Sequence, residues 1–304
     1  MLPELIRIPL LNLPIYTFGF LVAAGFLLAV HISYRQALHQ GHFDQEVLDF
    51  SFWALLGGII GGRIVFMLVE WKTFFVTEPW LYISGLGIWI PRFLALWQGG
   101  SVYWGNFFGG LVAFWWFCKH HKLPVFAFAD VMVLGVPLAQ AIGRLGCLAA
   151  GCCFGKHVYH LNEAGGVVAD FPISLRFPQG SIAYSNLIHS MPQPAVQLMQ
   201  TLESTLPLFP SQLAESIGCV GLFCLLLYVS PRRRFYGQVF FTYMISYSCL
   251  RSILELFRGD KARGFLIEGL LSTSQFISLC VVILSIAGWL AISRWTQHQL
   301  NKAS

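Results

Sequence analysis

Long apolar runs separated by short polar segments dominate the chain. A helix that crosses a membrane needs about 20 mostly apolar residues. By this criterion the sequence predicts seven spans, at roughly 13–33, 48–70, 100–118, 125–149, 210–230, 236–257 and 272–294. Residues 81–97 are also apolar, but Pro91 and Arg92 interrupt them. This interruption predicts an interfacial or re-entrant piece rather than an eighth span.

Residues 150–209 follow a different pattern, with polar turns and the strand-like stretch FPISLRFP. We interpret them as a small extracytoplasmic head of about 60 residues. The predicted fold class is therefore an all-α polytopic membrane protein with about seven transmembrane helices. One integral membrane domain would comprise a four-helix part (1–149), the head (150–209) and a three-helix part (210–304).

Composition supports a membrane protein and argues against a nucleic-acid partner. The 304 residues are 56% hydrophobic and only 11% charged, whereas soluble domains carry about 25% charged residues. The net charge of +5 is better explained by basic loops. Basic clusters at 119–122, at 231–235 and in the C-terminal tail share one face of the seven-span arrangement. The positive-inside rule places that face, and the C-terminus, in the cytoplasm.

Three arginines lie within or at the edges of the predicted spans: Arg63, Arg144 and Arg251. Charged groups at membrane depth are costly, and they usually face a partner or a cavity. The acid Glu255 follows Arg251 by four positions, so the two can pair on one helix. One interpretation is a structural pair with the other arginines reaching the headgroups. The other is a polar cavity whose surplus positive charge receives a phosphate group.

Three cysteines, Cys147, Cys152 and Cys153, lie at the end of the fourth predicted span and just after it, in a C-x4-C-C pattern. This pattern matches no familiar zinc spacing. A Cys/His metal cluster with His157 and His160, and a redox-active Cys152–Cys153 pair, are the alternatives. We favour closely packed thiols at a turn, and we expect no metal and no cofactor.

Six segments, in order along the chain, resemble the prolipoprotein diacylglyceryl transferase family. GGIIGGRIVF (57–66) resembles the GGR segment of the family's second span, and GGSVYWGNFFGG (99–110) its GGxxxHGG stretch. IGRLGCLAAGCCFG (142–155) is similar to the signature GRxGNFxNGExxG. FPSQLAE (209–215) is similar to HPSQLYE, YSCLRSILELFR (247–258) to YGxxRxxxEFFR, and LSTSQFISL (271–279) to the start of the last span.

The resemblance implies a multi-pass protein of the bacterial cytoplasmic (inner) membrane, with the N-terminus outside and the C-terminus in the cytoplasm. The implied reaction transfers a diacylglyceryl group from phosphatidylglycerol to the lipobox cysteine thiol of prolipoprotein signal peptides, within the lipid bilayer. The expected catalytic residues are Arg144, Arg251, Glu255 and Tyr103. The expected substrate-binding residues are Arg63, Gly143, Gly146, Gly155, Tyr247, Ser211 and Gln212.

This sequence departs from the family motifs at several polar positions. Trp104 stands where the family has a histidine, and Cys147 and Cys152 stand where it has an asparagine and a glutamate. If a base deprotonates the acceptor thiol, Glu255 is our first candidate and Tyr103 our second. The alternative functions are a non-catalytic phospholipid-binding homologue and, in another class, a membrane thiol oxidoreductase.

Overall fold

The computed structural model of the protein describes residues 4–8, 13–77, 79–83, 87–92, 102–163, 166–259, 265–267 and 271–303. Most of these residues are helical. The helices are α1 (Thr17–Gln40), α2 (Asp44–Val69), α3 (Tyr103–His120), α4 (Val125–Met132), α5 (Val136–Ala150), α6 (Ile182–Ser190), α7 (Gln193–Thr201), α8 (Ser211–Val229), α9 (Gln238–Glu255) and α10 (Thr273–Ala303).

Within the described part of the chain, five helical stretches are long and apolar enough to cross a membrane. They are Thr17–Gln40, Asp44–Val69, Val125–Ala150, Ser211–Arg232 and Thr273–Gln299. The third joins α4 and α5 through a single 3-10 turn, Val133–Gly135. A helical membrane protein is therefore confirmed. The two other predicted spans coincide with α3 and α9, whose 18 residues each include many aromatic or polar side chains. The count of seven stays a prediction.

Short antiparallel strand pairs precede α1 or lie between later helices, and they add a small β component to the predicted all-α fold. They pair β1 (Glu4–Ile8) with β2 (Leu13–Tyr16), β3 (Trp80–Ile83) with β4 (Ile88–Pro91), β5 (Tyr159–Leu161) with β6 (Val167–Ala169), and β7 (Phe265–Ile267) with β8 (Leu271–Ser272). The β3–β4 hairpin occupies the first part of the predicted re-entrant piece, while residues 93–97 lie outside the described residues. The strand-like FPISLRFP forms isolated bridges through Leu175 and Pro178.

Two compact units divide the chain, and the smaller, Tyr34–Phe128, contains α2 and α3. These helices pack along a seam of glycines. A Cβ atom on Gly57 would come within 2.9 Å of Ala113, and one on Gly105 within 2.8 Å of the Gly62 Cα. Because no real Cβ fits at such distances, the glycines are what allow the two backbones to touch.

The larger unit, Met1–Ser33 with Ala129–Ser304, includes the predicted head. A hydrophobic core joins α6 and α7 to the segments on either side of them, through Phe154, Phe177, Tyr184, Met199 and Leu206. Ser181 begins α6 by accepting the Tyr184 N–H at 3.2 Å, as a helix N-cap does. Residues 150–209 thus supply the buried members of this core, against which Leu148 of α5 also packs, while the predicted division of the chain at 149 and 209 stays a prediction.

The long helices of this unit pack in the order α5, α8, α9 and α10. Asp130 at the end of α4 ties the start of α9 to this assembly. Its two carboxylate oxygens accept the N–H groups of Gly237 at 2.8 Å and Phe240 at 2.9 Å. These are orphan donors of a helix N-terminus, where a carboxylate is favoured.

Candidate functional site

A buried carboxylate, Glu215 on α8, lies between two arginines. Arg144 on α5 places its Nη2 atom 2.7 Å from Glu215 Oε1. Arg258, three residues after α9, places Nη1 3.9 Å from the other carboxylate oxygen, and the side chains of Glu215 and Arg258 are each 3% exposed. Because a buried charge is costly unless it is paired, Glu215 is the counterion that permits both guanidinium groups here.

Neither Glu215 nor Arg258 was among the site residues predicted from the sequence, in which Glu255 was the acid expected beside an arginine. Both missed residues lie in segments that had been singled out, since Glu215 ends FPSQLAE and Arg258 ends YSCLRSILELFR. An acid followed by the apolar run of α8 was the available signal. Its pairing with Arg144 joins residues 71 positions apart, and helix periodicity carries no information about such a contact.

The predicted pair on α9 is present. Arg251 Nη2 lies 2.8 Å from Glu255 Oε2, and the two side chains are 13% and 10% exposed. The other terminal nitrogen of Arg251, Nη1, is buried and has no hydrogen-bond acceptor among the described residues. A buried N–H group of this kind carries a desolvation cost, which an anionic ligand would relieve.

Side chains on α5 and α9 contact each other one helical turn before Arg144 and Arg251. The Tyr243 hydroxyl donates to Gln140 Oε1 at 2.9 Å, and the rings of Tyr243 and Tyr247 stack with centroids 5.7 Å apart. Gln140 precedes Arg144 by one helical turn, and Tyr247 precedes Arg251 by one. Tyr247 also interacts electrostatically with Arg144. Tyr247 is therefore near Arg144 and one helical turn before Arg251, the two arginines that were predicted to share a phosphate.

The net charge of this region is smaller than the sequence predicted. Three guanidinium groups of the larger unit, from Arg144, Arg251 and Arg258, face two carboxylates, from Glu215 and Glu255. Counted over these described residues, one positive charge is in surplus, which suits one phosphate diester.

The predicted substrate-binding residues Ser211 and Gln212 hold the turn after α5. The Ser211 hydroxyl donates to the Cys153 carbonyl at 2.8 Å, and Gln212 Nε2 donates to the Cys152 carbonyl at 2.7 Å. Both side chains are buried. In the structure they position the turn, and their contact with a substrate stays a prediction.

The predicted glycines differ in their surroundings. A Cβ on Gly155 would lie 2.8 Å from the Phe209 Cβ, and one on Gly146 3.2 Å from the Phe18 ring. A Cβ on Gly143 would meet no described atom within 4 Å. Gly155 and Gly146 thus allow close packing, while Gly143 borders open space one residue before Arg144.

Arg63 and Tyr103 belong to the smaller unit. Arg63 is buried there; its Nη2 donates to the Arg92 carbonyl at 3.2 Å, and its guanidinium lies 5.2 Å from the centroid of the Phe74 ring. Tyr103 is the first residue of α3, and its side chain lies outside the described residues. The proposed roles of both residues stay predictions.

The three cysteines at the end of the fourth predicted span lie together. The Sγ atoms of Cys147, Cys152 and Cys153 are all within 4.8 Å of one another. Hydrogen bonds from the other two thiols lower the pKa of Cys153, and nearby Arg258 and Arg144 act in the same direction. Hydrogen bonds with Cys147 and Cys153 raise the pKa of Cys152.

The two histidines that the sequence suggested as partners lie elsewhere. His160 pairs with Asp170 at the surface. His157 is half-buried, its ring contacts Tyr159 edge-on, and burial lowers its pKa below the ordinary 6.5. Among the described residues, the cluster of possible ligands contains the cysteines alone.

The fold and this site define a multi-pass helical membrane protein with a buried arginine–carboxylate centre. The sequence profile described as "Prolipoprotein diacylglyceryl transferase" matches residues 3–291. The chain belongs to this family.

Named relatives align over nearly the whole chain. The phosphatidylglycerol–prolipoprotein diacylglyceryl transferase of Clostridium tetani is 31% identical over 277 residues, which are 91% of this chain and 93% of that protein. Phosphatidylglycerol–prolipoprotein diacylglyceryl transferase 2 of Clostridium perfringens is 30% identical over 272 residues, 90% of this chain and 89% of that protein. The enzyme of the same name from Mycobacteroides abscessus is 29% identical over 281 residues, 90% of this chain and 73% of that protein.

Proposed function

We propose that this protein transfers a diacylglyceryl group from phosphatidylglycerol to the lipobox cysteine of prolipoproteins. Family membership supports the reaction, because the relatives carry the name of this activity. The observation that carries the proposal is the arginine centre of the larger unit. It combines one surplus positive charge with a buried Arg251 Nη1 that has no acceptor among the described residues.

The chemistry explains why guanidinium groups are suited to this site. The thiolate sulfur of the acceptor attacks the glyceryl carbon that bears the phosphate. The new carbon–sulfur bond forms as the carbon–oxygen bond breaks, and the electron pair leaves on glycerol phosphate. Negative charge grows on the phosphate during this step. In our proposal Arg144 and Arg251 bind and stabilise it, and Tyr247 donates a hydrogen bond to a phosphate or ester oxygen.

The thiol proton requires an acceptor. Glu255 remains our first candidate, because its carboxylate pairs with Arg251 at 2.8 Å and so lies beside the proposed phosphate site. Glu215 is less suited, because it already neutralises two arginines. Tyr103 is the second candidate. Slower transfer by Glu255→Gln, with a shifted pH profile, would support this order, and a Tyr103→Phe variant serves as the comparison.

We also propose the finer membrane arrangement that the sequence predicts. The helices α3 and α9 would complete seven spans in the bacterial inner membrane, with residues 150–209 and the N-terminus outside and the C-terminus in the cytoplasm. The hydrophobic core whose buried members residues 150–209 supply supports a head that stands apart from the bilayer.

The test uses the full-length protein purified in detergent, phosphatidylglycerol with labelled acyl chains, and a synthetic lipobox peptide. We expect thioether formation by the wild type. Arg144→Lys and Arg251→Lys should each slow transfer by about 10²-fold or more, because lysine keeps the charge but loses the planar pair of donors. The matched control is Arg294→Lys, at an exposed position of α10, and it should transfer at the wild-type rate.

A second candidate function is a phospholipid-binding homologue without transferase activity. The observation in its favour is Trp104 in place of the family histidine, because an indole ring cannot accept the thiol proton. Saturable phosphatidylglycerol binding that depends on Arg251, with no transfer to the peptide, would favour this candidate. Absence of both binding and transfer would reject both functions.

A further inference from the structure

The thiol cluster of Cys147, Cys152 and Cys153 has the dimensions of a metal site. Around a zinc ion with bonds of about 2.3 Å, thiolate sulfurs stand roughly 3.8 Å apart. The three Sγ atoms already lie within 4.8 Å of one another. Side-chain rotations that move each sulfur by roughly 1 Å would therefore bring the three Sγ atoms to the spacing that a bound ion requires.

The end of α5 explains how a C-x4-C-C pattern gathers three sulfurs. The helix stops at Gly151, which has a left-handed backbone with φ 70°. The Cys152 N–H then returns to the Cys147 carbonyl at 3.0 Å, the bond that closes a Schellman turn. This bond places Cys152 over Cys147. The spacing resembles no zinc knuckle because a helix end supplies the geometry.

The turn contains one strained residue, and neighbouring side chains hold it in place. Cys153 has φ 61°, a left-handed conformation that costs a non-glycine residue roughly 1–2 kcal/mol. Such strain persists only where the surroundings fix the backbone. Here Ser211 and Gln212 fix it, because they donate to the Cys153 and Cys152 carbonyls at 2.8 and 2.7 Å. The ligand atoms are therefore held on a rigid support.

The charges around the cluster suit a metal–thiolate centre. Three thiolates leave one net negative charge with Zn²⁺ and two with Cu⁺. Arg144 and Arg258 interact electrostatically with Cys153. Together with Glu215, which pairs with both, they carry one net positive charge, and this charge offsets the single negative charge of a zinc-loaded centre. Soft thiolate ligands select thiophilic d10 cations over Mg²⁺ or Ca²⁺.

We propose that Cys147, Cys152 and Cys153 form a three-thiolate site for a thiophilic d10 cation, Zn²⁺ or Cu⁺. The described residues supply three ligands, so the site would leave a fourth coordination position to water or to a ligand thiol. This proposal replaces the expectation of simple packing thiols, and it does not depend on the transferase reaction.

The experiment measures metal binding by the reduced, full-length protein in detergent. Zn²⁺ or Cu⁺ is added alone, in competition with a chromophoric chelator, and the bound metal is counted by mass spectrometry. We expect one tightly bound ion per chain. Sulfur scatterers at about 2.3 Å should appear in the X-ray absorption spectrum of the zinc form. The two competitions give the affinity of the site for each ion.

Serine variants assign the ligands. Each of Cys147→Ser, Cys152→Ser and Cys153→Ser should weaken binding by about 100-fold or more, since even outer-shell changes cost 10–100-fold. Cys224→Ser is the control, because Cys224 is an exposed cysteine elsewhere on α8, and it should bind like the wild type. Binding that survives any one of the three substitutions would overturn the site. So would a Cys152–Cys153 disulfide that resists reduction in the purified protein and excludes the metal.

Discussion

Replacing Glu215 by glutamine tests the central claim that one buried carboxylate supports two arginines. At an effective dielectric constant of about 20, unit charges 2.7 Å apart attract by roughly 6 kcal/mol and charges 3.9 Å apart by roughly 4 kcal/mol. Desolvation offsets much of this attraction, and removing one partner of a buried pair costs about 3–5 kcal/mol net. Because Glu215 serves two arginines, we expect a loss of about 4–5 kcal/mol in the free energy of unfolding.

The assay is thermal unfolding in detergent, followed by the fluorescence of the protein's 10 tryptophans. At about 2.1 cal/mol/K of unfolding entropy per residue, the 304 residues give roughly 1.6 °C per kcal/mol, so Glu215→Gln should lower the melting temperature by roughly 6–8 °C. The matched control is Glu163→Gln at an exposed position, which should change it by no more than about 1–2 °C.

A double-mutant cycle separates the pair from a general packing defect. The variant that combines Arg144→Met with Glu215→Gln should be more stable than the sum of the two single changes predicts, by roughly 1–3 kcal/mol. A melting temperature of Glu215→Gln equal to that of Glu163→Gln would refute the reasoning. Strict additivity in the cycle would show that Arg144 and Glu215 do not stabilise each other.

Two further predictions concern other parts of the chain. Gly109→Ala should destabilise the α2–α3 pair by roughly 1–3 kcal/mol, because its Cβ would collide with the Gly57 backbone. Gly110→Ala is the control, because a Cβ on Gly110 meets nothing within 4 Å. Equal melting temperatures for the two variants would contradict the glycine seam. Burial lowers the pKa of His157 in the folded protein, so the unfolded chain takes up a proton at this residue first as the pH falls. Protonation of His157 should therefore reduce the free energy of unfolding below pH ~6.5, by at most about 1.4 kcal/mol per pH unit. Between pH 7.5 and 5.5, the melting temperature should fall less in His157→Gln than in the exposed-site control His189→Gln. An identical fall in both variants would show that His157 does not cause this pH dependence.

Local sequence patterns predicted the long helices well. The helix α8 begins at Ser211 and α10 at Thr273, each within a residue of the predicted span, because apolar runs of about 20 residues carry a strong signal. The Arg251–Glu255 pair was equally accessible, since both residues lie on one face of one helix. The head helices α6 and α7 were not predicted, although Ser181 offers a capping signal in the sequence.

The contacts that build the candidate site were harder to predict, because they join distant parts of the chain. Arg144 meets Glu215 only when α5 packs against α8. Similarly, the cysteines converge because α5 ends at Gly151, and a shift of that end by one residue would rotate Cys152 by about 100° about the helix axis. The spacing of side chains along the sequence predicts neither the packing of α5 against α8 nor the residue at which α5 ends.

The bond between Asp130 and the start of α9 has a consequence for biosynthesis. The Gly237 N–H that this carboxylate accepts lies 107 residues further along the chain. At a synthesis rate of about 5–20 residues per second, that donor is made roughly 5–20 s after Asp130. During this interval the newly inserted α4–α5 segment carries a carboxylate without its native donors. The synthesis of α9 therefore supplies the hydrogen-bond donors that the Asp130 carboxylate accepts in the folded protein. A ribosome that stalls between residues 130 and 237 would leave an intermediate in which this carboxylate lacks those donors.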